Sequence, residues 1–187
     1  EIRQMQERIA QLIDERDAER ALIAKCPVLE SAEQEHGEWL LGQPALCLQL
    51  LVELQEIDPA SIVIAWPEGE SFRVTNKVES KQLRLAIKSN KDWFAASGEL
   101  QVDEGKVIDL RTLLEMMEKS HGRFVELGEN RYLALTDELY RRLQEVTAYG
   151  ELTADGVRLH PLASFALEEL ADDVGGLKSD KLWKEHL

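Results

Sequence analysis

A short stretch in the middle of the chain concentrates basic side chains. Between Ser71 and Lys91 there are six basic residues and one acidic residue, a local charge of +5 over 21 residues. Lysine and arginine at this density can neutralise phosphate oxygens, which is the chemistry of a nucleic-acid contact. The alternative is that acidic neighbours neutralise the stretch within the fold. The candidate contact residues are Arg73, Lys77, Lys81, Arg84, Lys88 and Lys91.

Motifs for enzymatic chemistry are not found in the sequence. Gly105-Lys106-Val107 has the Gly-Lys pair of a phosphate loop but neither the following hydroxyl nor the upstream glycine. No GxGxxG or GxSxG pattern occurs. Acidic pairs such as Glu168-Glu169 and Asp172-Asp173 are typical of a solvated helix face. We assign no catalytic residue and expect no enzymatic activity in this chain.

Cysteine and histidine do not occur at metal-ligand spacing. The two cysteines, Cys26 and Cys47, form no CxxC clip and are expected to be reduced, half-buried thiols of a cytoplasmic protein. The histidines form no HxxxH or HExxH pattern, so neither a metal nor another cofactor is predicted for this chain. The four are His36, His121, His160 and His186.

One aromatic pair lies beside the basic stretch. Trp93-Phe94 could stack on nucleic-acid bases or cover an arginine-lined groove. We favour the interpretation that both rings are anchors of the hydrophobic core.

The charge of the whole chain opposes that of its basic stretch. The 187 residues include 22 Lys and Arg against 36 Asp and Glu, a net charge of −14. This acidity argues against autonomous, high-affinity binding of nucleic acid. It is concentrated in residues 1–60 and 121–187, with net charges of −8 and −5, while residues 61–120 carry −1. No apolar run approaches the ~20 residues of a membrane span, so no membrane contact is expected.

The sequence predicts that the first third of the chain is mainly helical. Apolar residues at spacings of three and four predict an amphipathic helix from Glu1 to about Lys25, ended by Cys26-Pro27. Residues 28–43 are expected to be a loop, and a second, buried helix is predicted from Pro44 to Glu56. A boundary at Ile57–Ala60 divides a helical lead-in, residues 1–58, from an α+β accessory domain, residues 59–187.

Beyond the boundary the hydrophobic period changes to two, which predicts strands. We expect four to six strands in a mainly antiparallel sheet, with one apolar face and one face carrying positive charge. The predicted strands are 62–66, 72–75, 83–88, 93–95, 100–102 and 107–108.

Short helices and hairpins are predicted to alternate after this sheet. Asp109, Thr136 and Ser179 are candidate helix caps. A hairpin is expected over residues 124–135, a strand over 157–159, and a helix from Pro161 to about Ala171. The predicted fold class is therefore α+β, with N-terminal helices, a mainly antiparallel sheet, and alternating short helices and β-hairpins.

Residues 60–187 resemble the segment that precedes the motor in bacterial Swi/Snf-like ATPases. The likeness rests on several short pieces in a fixed order rather than on any one of them. These pieces are Asp92-Trp93-Phe94, Gly98–Asp103, Gly122–Thr136, His160–Ala163 and Leu177–Trp183.

In that family two RecA-like lobes bind ATP and double-stranded DNA, and hydrolysis drives translocation along the duplex. The resemblance implies that the phosphate-loop and DExH motifs lie beyond Leu187, so ATP and magnesium are expected in the motor. This chain would be a regulatory accessory domain that docks on its own ATPase motor, with the basic stretch as a candidate contact to the motor or to duplex DNA. The alternative is a protein–protein interaction module for transcription or DNA-processing machinery, without DNA contact.

Overall fold

The chain divides into two units, Glu1–Glu70 and Ser71–Leu187. The computed structural model describes residues 2–35, 38–68, 71–90, 92–103 and 105–186. The division falls twelve residues after the boundary predicted at 58/59. The helix predicted to end at Glu56 ends at Gln55, and residues 59–68 form neither helix nor strand. The composition break therefore marks the end of a helix rather than the start of the second unit.

Two helices account for about half of the first unit. Helix α1 (Ile2–Ile23) has no buried residue, and its apolar stripe is 45–76% exposed. Helix α2 (Pro44–Gln55) begins at a proline, as predicted, but only Leu48 and Val52 are fully buried. The expectation that α2 is buried on most sides is therefore only partly correct.

The loop predicted for residues 28–43 contains regular structure. Pro27–Ser31 forms a 3₁₀ turn, and the short strands β1 (Glu33–Glu35) and β2 (Glu38–Leu40) pair antiparallel. The carboxylate of Glu53 accepts a hydrogen bond from the backbone N–H of Val28 at 3.1 Å. This bond ties the 3₁₀ turn to α2. His36 and Gly37 lie outside the described residues.

The second unit is an α+β fold, which confirms the predicted fold class. Its strands are β3 (Arg73–Val74), β4 (Leu83–Ser89), β5 (Phe94–Asp103), β6 (Lys106–Asp109), β7 (Phe124–Gly128), β8 (Arg131–Ala134), β9 (Gly150–Thr153), β10 (Gly156–Leu159) and β11 (Gly176–Ser179). A six-stranded sheet has the order β11-β4-β5-β10-β9, with β6 also paired to β5, and a three-stranded sheet has the order β3-β8-β7. All pairs are antiparallel except β11 with β4 and β3 with β8. The helices are α3 (Leu110–Met117), α4 (Asp137–Tyr149), α5 (Phe165–Asp173) and α6 (Lys181–His186).

One face of the six-stranded sheet contributes to the hydrophobic core. Leu83, Leu85 and Ile87 of β4 are buried, while the alternating Arg84 and Lys88 are exposed. The same core includes apolar residues from α3, α4 and α5 and the fully buried Trp183 of α6. The predicted division into one apolar face and one charged face is confirmed at β4, because successive side chains of a strand point to opposite faces.

Several predicted elements differ from the observed ones. The apolar run 62–66 is not a strand, and Val63 is 91% exposed. The strands predicted at 93–95 and 100–102 are parts of the single strand β5. Strands β9 and β11 were not predicted, because each is only four residues long and begins within three residues of the end of a helix.

The predicted caps are confirmed at two of three helices. Asp109 accepts a hydrogen bond from the N–H of Thr112 at 2.9 Å, and Thr136 accepts one from the N–H of Leu139 at 3.4 Å. At α6, Asp180 rather than Ser179 accepts the N–H of Trp183, at 2.9 Å. Ser179 is instead the last residue of β11. Pro161 begins a three-residue 3₁₀ turn, after which α5 starts at Phe165.

No helix in the described part of the chain is long and apolar enough to cross a membrane.

Candidate functional site

The basic stretch is divided between two sheets. Arg73 lies on β3 and Lys77 follows it, whereas Lys81 lies in the 3₁₀ turn before β4, and Arg84 and Lys88 lie on β4 itself. All five are exposed. Lys91 lies outside the described residues. Charges that are adjacent in sequence therefore do not form a single row.

Strand register places Arg84 and Lys88 in two rows that cross the outer face of the six-stranded sheet. Arg84 pairs with Glu99 of β5, and Glu99 pairs with Asp109 of β6. Lys88 pairs with Ala95 of β5. Because paired residues of neighbouring strands share a face, these side chains all lie on the face opposite the core.

A third cation joins this face from a distant part of the sequence. Lys178 of β11 pairs in parallel with Ala86, which lies between Arg84 and Lys88 on β4. Within the described residues, Arg84, Lys88 and Lys178 form no ion pair. Sequence reasoning missed Lys178 because β11 was not recognised as a strand. The alternation Gly176-Leu177-Lys178-Ser179 was the available signal, and it is too short to be distinctive.

The row through Lys88 continues to an aromatic cluster. Arg158 of β10 pairs with Ala95, lies 5.0 Å from the ring centre of Trp93, and donates to the carboxylate of Glu151 at 2.6 and 2.8 Å. Phe94 is buried against Trp183, as the core reading predicted. Trp93 is only half-buried and stacks on an arginine, so the core reading is wrong for that ring.

Acidic side chains occupy the other side of this face. Glu99 lies on β5, Asp109 ends β6, and Asp155 lies in the turn between β9 and β10. Asp109 is the cap of α3. Hydrogen bonds from the backbone N–H and the hydroxyl of Thr112 lower the pKa of its carboxyl, so it is held as an anion.

A groove of about 780 Å³ is lined by Arg84 and Lys178 and by the three acidic residues. Its volume is within the range of ligand-binding pockets, about 300–1,000 Å³. Small residues form much of its lining, among them Ala86, Ser97, Gly98, Ala154, Gly175 and Gly176. We call this groove, with its flanking charges Arg84, Lys178, Glu99, Asp109 and Asp155, the sheet-face groove.

A serine, a histidine and a glutamate meet elsewhere in the second unit, and sequence reasoning did not find them. The Oγ of Ser164 lies 2.8 Å from Oε1 of Glu168 and 2.8 Å from Nε2 of His186. Nε2 of His186 also lies 3.9 Å from the same Glu168 oxygen. In a catalytic triad the carboxylate holds the far ring nitrogen, Nδ1, whereas here it bonds the hydroxyl. Ser164 is also only 6% exposed, so this network links α5 to α6.

No metal-binding constellation occurs in the described ranges, where no three His, Cys, Asp or Glu side chains are grouped suitably. Cys26 and Cys47 are free thiols, but neither is half-buried as predicted: Cys26 is buried and Cys47 is exposed.

Comparison of this chain with protein-family models, with curated proteins and with solved structures found no match.

Proposed function

We propose that this chain is a non-catalytic accessory module of an ATP-dependent DNA translocase of the Swi/Snf-like class, acting in the cytoplasm by docking on the ATPase motor. ATP and magnesium would be bound by the motor and not by this chain. Two lines support the proposal: the resemblance over residues 60–187 and the sheet-face groove.

The observation that carries the docking role is the exposed outer face of the six-stranded sheet. Arg84, Lys88 and Lys178 lie on two neighbouring strands of this face, without ion pairs among the described residues. Exposed charges that are left unpaired on a rigid sheet are available to a partner. Binding residues held by a sheet are also positioned more precisely than residues on loops.

The test uses the parent protein. We expect a phosphate loop, GxxxxGK[ST], in the sequence that follows Leu187. The separately expressed motor should then show a changed DNA-dependent ATPase rate when this chain is added in trans. A parent without a phosphate loop, or a motor whose rate is unaffected by a stoichiometric excess of the chain, would refute the proposal.

Direct contact with duplex DNA is a second candidate function, favoured by the same three cations. It predicts salt-sensitive binding of a labelled duplex, with the slope of log K against log salt reduced by about one for each of Arg84→Ala and Lys88→Ala. Lys119→Ala, an exposed lysine beyond the end of α3, is the matched control. No salt-sensitive binding up to high micromolar concentration would rule out direct DNA contact by this chain alone.

A further inference from the structure

The geometry points to an α-helix of a partner protein as the occupant of the sheet-face groove, with acidic side chains towards β4 and β11 and basic side chains towards β5 and β6. The inference deepens the proposed function and rests on it to the extent that the partner would be the motor. The experiment below separates the two.

Charge separation across the groove is the first argument. Of the charges that line the groove, Arg84 lies on β4 and Lys178 on β11, whereas Glu99 lies on β5 and Asp109 on β6. These lining cations and acids therefore lie on opposite sides of a line between β4 and β5. Arg84 and Glu99 are cross-strand neighbours, yet within the described residues they form no ion pair.

The groove carries charges of both signs, and this favours a protein over a nucleic acid as its partner. A duplex presents negative charge along its whole surface, so it would bring phosphates close to Glu99 and Asp155 as well as to the cations. Like charges placed opposite each other at an interface cost binding energy. A helix can carry acidic residues on one flank and basic residues on the other, and so can satisfy both sides of the groove.

The dimensions of the groove agree with a helix. Neighbouring strands lie about 4.8 Å apart, so β11, which carries Lys178, and β5, which carries Glu99, are separated by about 10 Å across the sheet. An α-helix with its side chains is about 10–12 Å across. A helix lying along the strands would therefore reach both flanks at once.

The floor of the groove allows a partner helix to approach the sheet closely. The outward positions Ala86 and Ser97 of the two adjacent strands β4 and β5 carry small side chains, where solvated strands favour β-branched or aromatic ones. Gly176 on β11 has no internal reason to lack a side chain, since an added Cβ would come no closer than 3.6 Å to the nearest atom, Cγ of Arg84. The groove is therefore not filled by side chains of its own strands.

The probe for this surface is a phage-displayed library of helical peptides with randomised outer positions, selected against the 187-residue chain. We expect the enriched helices to carry acidic residues on one flank, basic residues on the other, and small or apolar residues between. Their affinity should fall at least tenfold for Arg84→Glu combined with Lys178→Glu. It should also fall for the exchange Arg84→Glu with Glu99→Arg, which keeps the net charge of the chain.

One control variant and one variant that fills the groove complete the experiment. Lys119→Glu, an exposed reversal away from the groove, should leave peptide affinity unchanged. Ser97→Trp fills the floor without changing charge and should also abolish binding. Circular dichroism and the thermal midpoint would establish that each variant is folded.

Four results would overturn the inference, and three of them come from the peptide experiment. These three are an absence of enriched peptides, peptides whose affinity is unchanged by the groove variants, and duplex DNA that competes with the peptides and whose binding is lost in the same variants. The fourth comes from the ATPase assay. If added chain changes the motor's ATPase rate equally with and without the groove variants, the inference fails while the proposed function stands. If the parent lacks a phosphate loop but the peptides behave as expected, the proposed function fails while the groove remains a helix-binding surface.

Discussion

Ser89 and Asp180 are hydrogen-bonded across 91 positions of the sequence. The carboxylate of Asp180 accepts the hydroxyl of Ser89 at 2.7 Å and also the backbone N–H of Ser89. The same carboxylate accepts the N–H of Trp183 at 2.9 Å. One side chain therefore closes the end of β4 and caps α6, which joins the last helix of the described chain to the six-stranded sheet.

Substitution of Asp180 by alanine should destabilise the second unit. The change removes a helix cap and leaves two donors of Ser89 without this acceptor, and we expect the thermal midpoint to fall by about 2–4 °C. Differential scanning calorimetry measures the shift. Asp172→Ala, which removes an exposed carboxylate near the end of α5, is the control. Equal midpoints for the two variants would show that the Asp180 bonds contribute nothing to stability.

Acid should destabilise the second unit through two carboxyl groups. Hydrogen bonds from the backbone N–H groups of Ser89 and Trp183 and from the Ser89 hydroxyl lower the pKa of Asp180, and bonds from Thr112 lower the pKa of Asp109. A carboxyl with a lowered folded-state pKa adds stability above its ordinary value of 3.8 and loses it as the pH falls through the folded-state pKa. Urea unfolding between about pH 2 and 6 should show this loss below about pH 4, and it should be smaller in Asp180→Asn. An unchanged pH profile in that variant would contradict the assignment.

Trp183 should anchor α6 to the core. Its side chain is fully buried, and its ring meets that of Phe94 edge to face, with centroids 4.9 Å apart. Truncation of a large buried aromatic side chain costs about 3–5 kcal/mol, so Trp183→Ala should lower the free energy of unfolding by this amount. Its neighbour Leu182 is exposed, and Leu182→Ala should change it by less than about 0.5 kcal/mol. Urea denaturation followed by circular dichroism compares the two, and similar losses would contradict the proposed anchoring.

Alanine substitutions at two glycines of the six-stranded sheet should have different effects on the free energy of unfolding. A Cβ at Gly98 would lie 2.5 Å from the carbonyl oxygen of Arg84 and 2.9 Å from Leu85, so Gly98→Ala should cost about 1–3 kcal/mol through forced movement of β4. At Gly176 the nearest atom is 3.6 Å away, and Gly176→Ala should be neutral within about 0.5 kcal/mol. Chemical denaturation measures both. If Gly176→Ala destabilises the chain, packing within the fold, and not the approach of a partner, would explain why this position has no side chain.

The two thiols should react at very different rates. Cys26 is 1% exposed, and burial together with the nearby Glu53 carboxylate raises the pKa of its thiol. Cys47 is exposed on α2. Since the thiolate is the reactive form, Ellman's reagent at pH 8 should modify one thiol rapidly in the folded chain and the second only after denaturation. Cys47→Ser should remove the fast phase, and persistence of that phase would contradict the burial of Cys26.

Local interactions determined much of the fold from the sequence alone. Asp109 and Thr136 cap helices through backbone groups three residues ahead, so the necessary atoms are all in one short segment. The β7–β8 hairpin was predictable from its turn. Glu129 and Asn130 have φ values of +53° and +56°, and two such residues connect antiparallel strands tightly. The alternation of β4 was also readable, because a period of two needs no knowledge of the partner strand.

Only the tertiary structure decided which strands pair and therefore which charges meet. The apolar run 62–66 has the composition of a strand but pairs with no strand in the described chain. Lys178 joins Arg84 and Lys88 because β11 adds in parallel beside β4, and nothing near Lys178 in sequence encodes that pairing. Arg73, a member of the same basic stretch, lies in another sheet because its strand β3 pairs with β8. The sequence by itself determined that one face of a sheet carries positive charge. Strand pairing is non-local, so only the folded chain placed acids and a groove beside that charge.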